Sequence, residues 1–193
     1  MKTTTLLSVM AGLCLHVSAQ QPIKPLYINE RLPNITLNHI VNYKAVTARL
    51  SDMQCDHTKM VLFDFWLTSC IPCVRRLPHL DSLQQQFDGR LQIIMVTREE
   101  TEVVSAFLKK WEATHTKKFT IPVVTKDTLI EQYFRQQTKP SYAWLATDNV
   151  CMAQTASTFI TAEMIENCLN VMADEVNHRG YLKNSNLQNN IKR

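Results

Sequence analysis

The sequence predicts an α/β domain, in which a central mixed β-sheet carries helices on both faces and extra strands at the N-terminal side. The apolar run 60–66 indicates a buried strand, and the amphipathic pattern over 70–87 indicates a helix that follows it directly. Two later strands, separated by the short turn 147–149, indicate an antiparallel pair. A sheet with both kinds of pairing and this many apolar positions has to be covered on both sides.

The N-terminal residues 1–19 have the pattern of a secretory signal peptide. Lys2 precedes an apolar stretch, and Ser18 and Ala19 supply small residues before an expected cleavage at Gln20. This stretch is too short to stay as a membrane-spanning helix, and no other stretch is longer and apolar. Because Leu13 precedes Cys14, where a lipid-attachment sequence prefers a small residue, we expect a soluble exported product.

The chain after cleavage divides into three parts. Residues 20–31 are predicted to form an extended leader, residues 32–176 one folded domain, and residues 177–193 a polar, flexible tail. The net charge of the whole chain is +4, and the tail carries basic residues but no Asp or Glu. A near-neutral domain with a short basic tail argues against a nucleic-acid-binding protein.

The remaining elements follow from composition and spacing. Residues 32–37 suggest an edge strand because Pro33 suits an edge. A helix is expected over 101–114, where apolar residues recur on one face. Asp127 is suited to cap a helix running to Gln136. Gly89 is suited to the left-handed cap of the helix over 70–87. The other expected elements are a short strand within 44–50, a loop at 51–59, strands at 91–96, 119–124, 141–146 and 150–155, and a helix over 161–175.

The most informative segment places Cys70 and Cys73 around Ile71-Pro72, at the junction between the predicted strand and helix. Free N–H groups and the dipole at a helix N-terminus favour an anion there. Because the thiolate is the nucleophilic form of cysteine, this position favours a reactive Cys70. The arrangement is typical of a redox dithiol.

Three other residues strengthen this interpretation. Asp64 lies inside the apolar strand, where a buried carboxyl has a raised pKa and can take a proton from the second cysteine. Pro78 interrupts the helix that follows. Pro140 precedes a late strand, and a cis proline there would leave backbone groups free to pair with an extended peptide.

These residues and spacings resemble the thioredoxin superfamily over about residues 32–172, and within it the exported TlpA/ResA-like proteins of Bacteroidetes-type bacteria. The resemblance implies a thioredoxin-like fold and a Cys70–Cys73 disulfide. It assigns Cys70 as the attacking thiol, Cys73 as the resolving thiol, Asp64 as the proton acceptor and Pro140 as the cis-proline.

The same resemblance implies a thiol–disulfide oxidoreductase that reduces protein disulfides and needs no cofactor or metal. It implies a periplasmic location in a Gram-negative bacterium and a membrane electron donor of the DsbD/CcdA type. The spacer contains no histidine, which argues against a strong oxidase, but the direction of electron flow stays open.

Five residues around the dithiol are candidates for substrate contact: Ser69, Ile71, Pro72, Lys139 and Trp144. Ser69 stands where the resembling family usually has tryptophan. Lys139 precedes the candidate cis-proline, where the family usually has an uncharged residue. We predict that its ammonium lowers the pKa of Cys70 and raises the reduction potential of the pair.

Several alternatives stay open from the residues alone. The pair could be a static disulfide in a redox-inactive binding module. Cys55 and His57 could join the pair in a zinc site. A thiol peroxidase would need a Pro-x-x-x-Thr-x-x-Cys pattern, whereas Thr68 lies only two residues before Cys70. Two further cysteines, Cys151 and Cys168, are predicted to be small core residues.

Overall fold

The computed structural model describes residues 22–54, 59–115, 117–135 and 138–178. The predicted signal peptide with Cys14, the Cys55 and His57 pair, and the tail beyond residue 178 lie outside the described residues. The strands are β1 Thr36–Leu37, β2 Ile40–Val41, β3 Ala48–Arg49, β4 Met60–Phe65, β5 Leu91–Val96, β6 Val123–Val124, β7 Ser141–Leu145 and β8 Cys151–Ala156. The helices are α1 Leu50–Gln54, α2 Ile71–Gln86, α3 Thr101–His115, α4 Ile130–Tyr133 and α5 Ala162–His178.

Six strands form the central sheet in the order β2-β6-β5-β4-β7-β8, and β1 and β3 form a separate two-stranded sheet. β4 pairs with β5 and β5 with β6 in parallel, whereas β7 is antiparallel to both β4 and β8. This confirms the predicted α/β class with a mixed central sheet. β4 occupies an interior position in the sheet, which explains why all six of its residues are buried.

Alternate residues of β4 pack into two separate layers. Leu62 belongs to the layer that contains buried residues of α2, α3 and α5. Val61, Phe63 and Phe65 belong to the opposite layer, which contains buried residues of the N-terminal segments, α1 and α4. The side chain of Asp64 therefore lies on the same face as Leu62, beneath α2.

The N-terminal elements differ from the expectation. The edge strand predicted over 32–37 is reduced to β1, and the one within 44–50 to β3. A helix, α1, begins where a loop was predicted. The Asn34 carboxamide oxygen accepts from the Ser51 N–H at 3.1 Å, and the Asp52 carboxylate from the Arg49 N–H at 3.1 Å. These side chains satisfy backbone donors at the start of the helix, a signal that periodicity does not reveal.

Two later elements also differ in length. The helix predicted from Asp127 to Gln136 is only the single turn α4. The Asp127 carboxylate does cap it, because it accepts hydrogen bonds from the N–H groups of Ile130 and Glu131, both at 2.9 Å. The strand predicted over 119–124 forms sheet pairs only in β6. Conversely, α5 continues to His178, three residues beyond its predicted end.

Candidate active site

The two cysteines lie where the chain leaves β4 and enters α2. Cys70 is the N-cap residue of α2, and its Sγ accepts a hydrogen bond from the Cys73 N–H at 3.3 Å. The two sulfur atoms are joined in a disulfide. Because the first turn of a helix offers free N–H groups, the same position stabilises a thiolate at Cys70 once the bond is reduced.

The two sulfurs differ in accessibility. Cys70 is half-buried, whereas Cys73 is only 2% exposed. An incoming disulfide can therefore reach Cys70, and Cys73 can react only with a sulfur that is already attached to Cys70. This geometry fits the predicted division into an attacking and a resolving thiol.

Asp64 is a buried carboxyl on the same face of the sheet as Cys73. It is 1% exposed, and its Oδ1 atom has no hydrogen-bond partner among the described residues. Burial raises its pKa from 3.8 to about 7, because the charged form loses its hydration. A carboxyl with a pKa near 7 can both accept and release a proton at neutral pH.

Two residues that the sequence analysis did not single out lie beside Asp64. Tyr142 is its direct partner across β4 and β7, and Arg76 lies on α2 three positions after Cys73. The positive charge of Arg76 and the Tyr142 hydroxyl both oppose the rise in the pKa of Asp64. The Tyr142 hydroxyl interacts electrostatically with Asp64 and Arg76, yet it forms no well-oriented hydrogen bond with either. Burial and the nearby carboxylate raise the pKa of Tyr142, so it stays protonated.

The Lys139–Pro140 peptide is cis, and Pro140 directly precedes β7. Register pairs Ser141 with Phe65, the last residue of β4, so Pro140 lies at the edge of the sheet from which the chain runs towards Cys70. Lys139 contacts another charge. Its Nζ lies 2.7 Å from Oε1 of Glu131, whose side chain is 7% exposed.

This ion pair bears on the predicted role of Lys139. The second oxygen of Glu131 lies 2.6 Å from Nε of Arg98, so one carboxylate bridges two cations. Because Glu131 offsets the charge of Lys139 at close range, the ammonium is a weaker influence on Cys70 than the sequence suggested. The signal was missed because Glu131 lies in a different element from Pro140.

A second carboxylate holds the loop before the dithiol. Glu99, in the connection between β5 and α3, accepts from the Thr68 N–H and from the Thr68 hydroxyl, each at 2.7 Å. The Thr97 hydroxyl also donates to it, at 3.3 Å. Thr68 lies two residues before Cys70. No motif connects Glu99 with the cysteines in the sequence, since the two segments meet only through the parallel pairing of β4 and β5.

A model of the AhpC/TSA family matches residues 28–165, most of the chain. The chain belongs to the AhpC/TSA family. Together with the bonded cysteine pair, this membership supports a thioredoxin-like redox enzyme.

Individual relatives agree with the fold. The thioredoxin-like protein YneN of Bacillus subtilis is 30% identical over 59 residues, which are 31% of this chain and only 35% of YneN. The thioredoxin domain of a thiol–disulfide oxidoreductase from Bacteroides vulgatus superposes with a TM-score of 0.55 at 21% identity, covering 75% of this chain and 99% of that domain. AhpC of Enterococcus faecalis superposes with a TM-score of 0.61 at 13% identity, covering 79% of this chain and 95% of that protein. Both superpositions confirm the thioredoxin-like fold.

The remaining candidates for substrate contact in this AhpC/TSA protein fall into two groups. Ser69, Ile71 and Pro72 are exposed around the disulfide, and Ile71 is 65% exposed. Trp144, in contrast, is 1% exposed, and its indole N–H donates to the Thr155 hydroxyl at 2.8 Å. The prediction that Trp144 contacts substrate is therefore wrong in this structure, because β7 directs the ring into the core.

Cys151 is buried and Cys168 half-buried, both are free thiols, and burial raises the pKa of each. In the described part of the chain, no three His, Cys, Asp or Glu side chains are grouped as metal ligands. The zinc alternative required Cys55 and His57, which lie outside that part. No helix within the described ranges is long and apolar enough to cross a membrane.

Proposed function

We propose that this protein is an exported thiol–disulfide oxidoreductase of the TlpA/ResA-like type, which reduces protein disulfides through Cys70 and Cys73. The observation that carries the proposal is the arrangement of three groups. An accessible sulfur at a helix N-terminus and a buried partner sulfur share a sheet face with an incompletely hydrogen-bonded carboxyl. A static disulfide would need neither the difference in exposure nor the costly buried acid.

The first step is nucleophilic attack. The Cys70 thiolate attacks one sulfur of a substrate disulfide and forms a mixed disulfide, and the other substrate sulfur leaves as a thiolate. The N-terminal N–H groups of α2 stabilise the attacking anion. The cis-proline segment at Pro140 gives the extended substrate a backbone to pair with, and Ser69, Ile71 and Pro72 are exposed next to Cys70 in the chain.

The second step resolves the mixed disulfide. The Asp64 carboxylate takes the proton of the Cys73 thiol, and the resulting thiolate attacks Cys70 Sγ. This forms the Cys70–Cys73 disulfide and releases the second substrate thiolate, so two electrons pass from the dithiol to the substrate. The pKa of Asp64 near 7 suits this transfer, because the group is partly ionised at neutral pH and returns the proton readily.

The cycle requires an electron donor for the oxidised pair. We propose a membrane protein of the DsbD/CcdA type, consistent with the secretory pattern of residues 1–19 and with a periplasmic location in a Gram-negative bacterium. The mature chain then comprises the leader 20–31, the domain 32–176 and the tail 177–193.

A single-turnover assay tests the proposal. Protein reduced with dithiothreitol and freed of it is mixed with insulin, and insulin reduction is followed by mass spectrometry. We expect C70S to abolish insulin reduction, and C73S to accumulate a mixed disulfide between Cys70 and insulin. C168S is the matched control, since Cys168 is a half-buried free thiol on another helix, and it should react like the wild type. A C70S variant that retains wild-type reduction would contradict the proposal.

A thiol peroxidase is the second candidate, favoured by membership of the AhpC/TSA family. Its expected threonine pattern is absent, and the Thr68 hydroxyl is already engaged by Glu99. Replacing insulin by hydrogen peroxide in the same assay separates the two functions. Faster oxidation of Cys70 by peroxide than by insulin would favour the peroxidase.

A further inference from the structure

The carboxylate of Glu99 is a charged group bonded directly to the loop that carries the attacking cysteine. Both of its oxygens are engaged by Thr68, at 2.7 Å each, and the Thr68 N–H and hydroxyl lie only two residues before Cys70. Thr97 adds a third donor at 3.3 Å. The side chain is half-buried, which lowers the effective dielectric around the charge.

Glu99 differs from its sequence neighbours in its ion pairing. Among the described residues, Glu99 has no salt bridge, although its neighbours do: Arg98 pairs with Glu131, and Glu100 pairs with Lys126. The three donors to Glu99 are neutral hydrogen-bonding groups, which hold the carboxylate in place without removing its charge.

The other charges around the dithiol come from three elements. On α2, Arg75 is exposed, and Arg76 and His79 contact the Ile160 carbonyl oxygen at 3.1 and 2.9 Å. On β4, Asp64 lies beside Arg76. In α4 and the segment before β7, Glu131 lies between Lys139 and Arg98 and pairs with both. Among the described residues, Glu99 contrasts with Asp64 and Glu131, because its side-chain hydrogen bonds all come from neutral donors.

We propose that Glu99 is a positioning residue that holds the loop before Cys70 and disfavours the Cys70 thiolate, which makes the dithiol a stronger reductant. This inference rests on the proposed function and deepens it, since it names a residue that favours electron transfer from the dithiol to the substrate. A negative charge near Cys70 disfavours a second one, so the thiol keeps its proton to a higher pH.

The effect on the redox equilibrium follows from the balance of the couple. The disulfide takes up two electrons and two protons to give the dithiol, and ionisation of Cys70 stabilises only the reduced form. A residue that suppresses this ionisation therefore destabilises the reduced form at neutral pH, and the pair transfers its electrons more readily. The oxidised form carries no charge on either sulfur and is affected much less.

The test compares two charge removals one residue apart. E99Q keeps the size of the side chain and removes the charge, and E100Q makes the same change on an exposed side chain that pairs with Lys126. The pKa of Cys70 is measured in a C73S background from the pH dependence of iodoacetamide alkylation. The equilibrium with glutathione is measured with both cysteines present.

We expect E99Q to lower the pKa of Cys70 and to shift the glutathione equilibrium about three- to tenfold towards the reduced dithiol, where tenfold corresponds to about 30 mV. E100Q should leave both quantities unchanged. An unchanged Cys70 pKa in E99Q, or an equal shift in E100Q, would overturn the inference.

A second variant separates charge from position. E99D keeps the charge and shortens the side chain, so it should retain the pKa of wild-type Cys70 even where the hydrogen bonds to Thr68 are weakened. A pKa in E99D as low as that expected for E99Q would refute the electrostatic role, and this result stands even if E99Q does not fold. Because alkylation needs no disulfide substrate, these outcomes are independent of whether C70S abolishes insulin reduction.

Discussion

Two aspartates in the same apolar layer show how partners decide the role of a buried carboxyl. Asp64 on β4 and Asp81 on α2 are each only 1% exposed. Both oxygens of Asp81 are engaged, because Lys117 Nζ lies 2.5 Å and Gln85 Nε2 3.0 Å from Oδ2, and the Thr120 hydroxyl donates to Oδ1 at 3.0 Å. In contrast, no described residue donates a hydrogen bond to Oδ1 of Asp64.

The difference separates a structural carboxylate from a reactive one. The Asp81 carboxylate contacts a cation and two neutral donors, so the group ties α2 to the segment before β6. The ionised form of Asp64 is poorly compensated, and burial raises its pKa to about 7. Two equally buried carboxyls therefore have different roles, and the incompletely hydrogen-bonded one, Asp64, is the one that lies beneath the dithiol.

The largest expected effect is on the rate at which the mixed disulfide is resolved. D64N removes the group that takes the proton from Cys73, and general-base catalysis typically contributes about 10²-fold or more. We expect resolution to slow by about 10²-fold at pH 7 in D64N and to stay within about threefold of wild type in D81N. Rapid acid quench of the insulin reaction, with the mixed disulfide measured by mass, gives this rate.

The pH dependence provides the control for that prediction. At high pH hydroxide can take the proton of the Cys73 thiol in place of Asp64, so the defect of D64N should shrink as the pH rises. A defect of the same size at pH 7 and pH 9.5, or an equal defect in D81N, would show that Asp64 acts through structure alone.

A smaller effect is expected on the free energy of unfolding, and it should have opposite signs in D64N and D81N. D64N removes a buried charge that the fold disfavours, and a rise in pKa from 3.8 to about 7 corresponds to about 2–4 kcal/mol at pH 8. D64N should therefore raise the free energy of unfolding at pH 8. D81N should lower it by about 1–3 kcal/mol, because Lys117 loses the charge of its partner and only one side-chain oxygen is left to accept hydrogen bonds.

Linkage sets the pH window of this effect. The folded-state pKa of Asp64 lies above its unfolded value, so the folded protein binds the extra proton between about pH 4 and pH 7. The stability penalty is complete above pH 7 and disappears as the pH falls towards 4. Urea denaturation of oxidised protein at pH 5 and pH 8 should show a smaller gain for D64N at pH 5, and a gain that does not vary with pH would contradict the assignment.

The residues that could be predicted from sequence are those whose signal is local. The strand at 60–65 and the helix from 71 were evident from hydrophobic period and from the cysteines at their junction. Asp64 was identifiable because a carboxyl inside an apolar strand is unusual. Sequence spacing alone was sufficient for these features, since all of them belong to one β-α unit.

The residues that were missed are positioned by tertiary contact. Glu99 reaches Thr68, and Glu131 reaches Lys139, only after separate elements have assembled. Trp144 was predicted to contact substrate because strand alternation does not say which face of β7 meets the core. The short length of α4 was also missed, because helix propensity does not say that the backbone becomes extended at Phe134.

The smallest effect tests the environment of Asp64 itself. Arg76 opposes the rise in the pKa of Asp64, so R76Q should move that pKa further above 7. R75Q is the matched control, because Arg75 is the exposed neighbour on the same helix. Carbon-13 NMR titration of labelled Asp64 in the oxidised protein measures the pKa of Asp64 in both variants. A pKa that stays near 7 in R76Q would mean that burial alone sets it, and the contrast with Asp81 would then rest on hydrogen bonds rather than on a nearby cation.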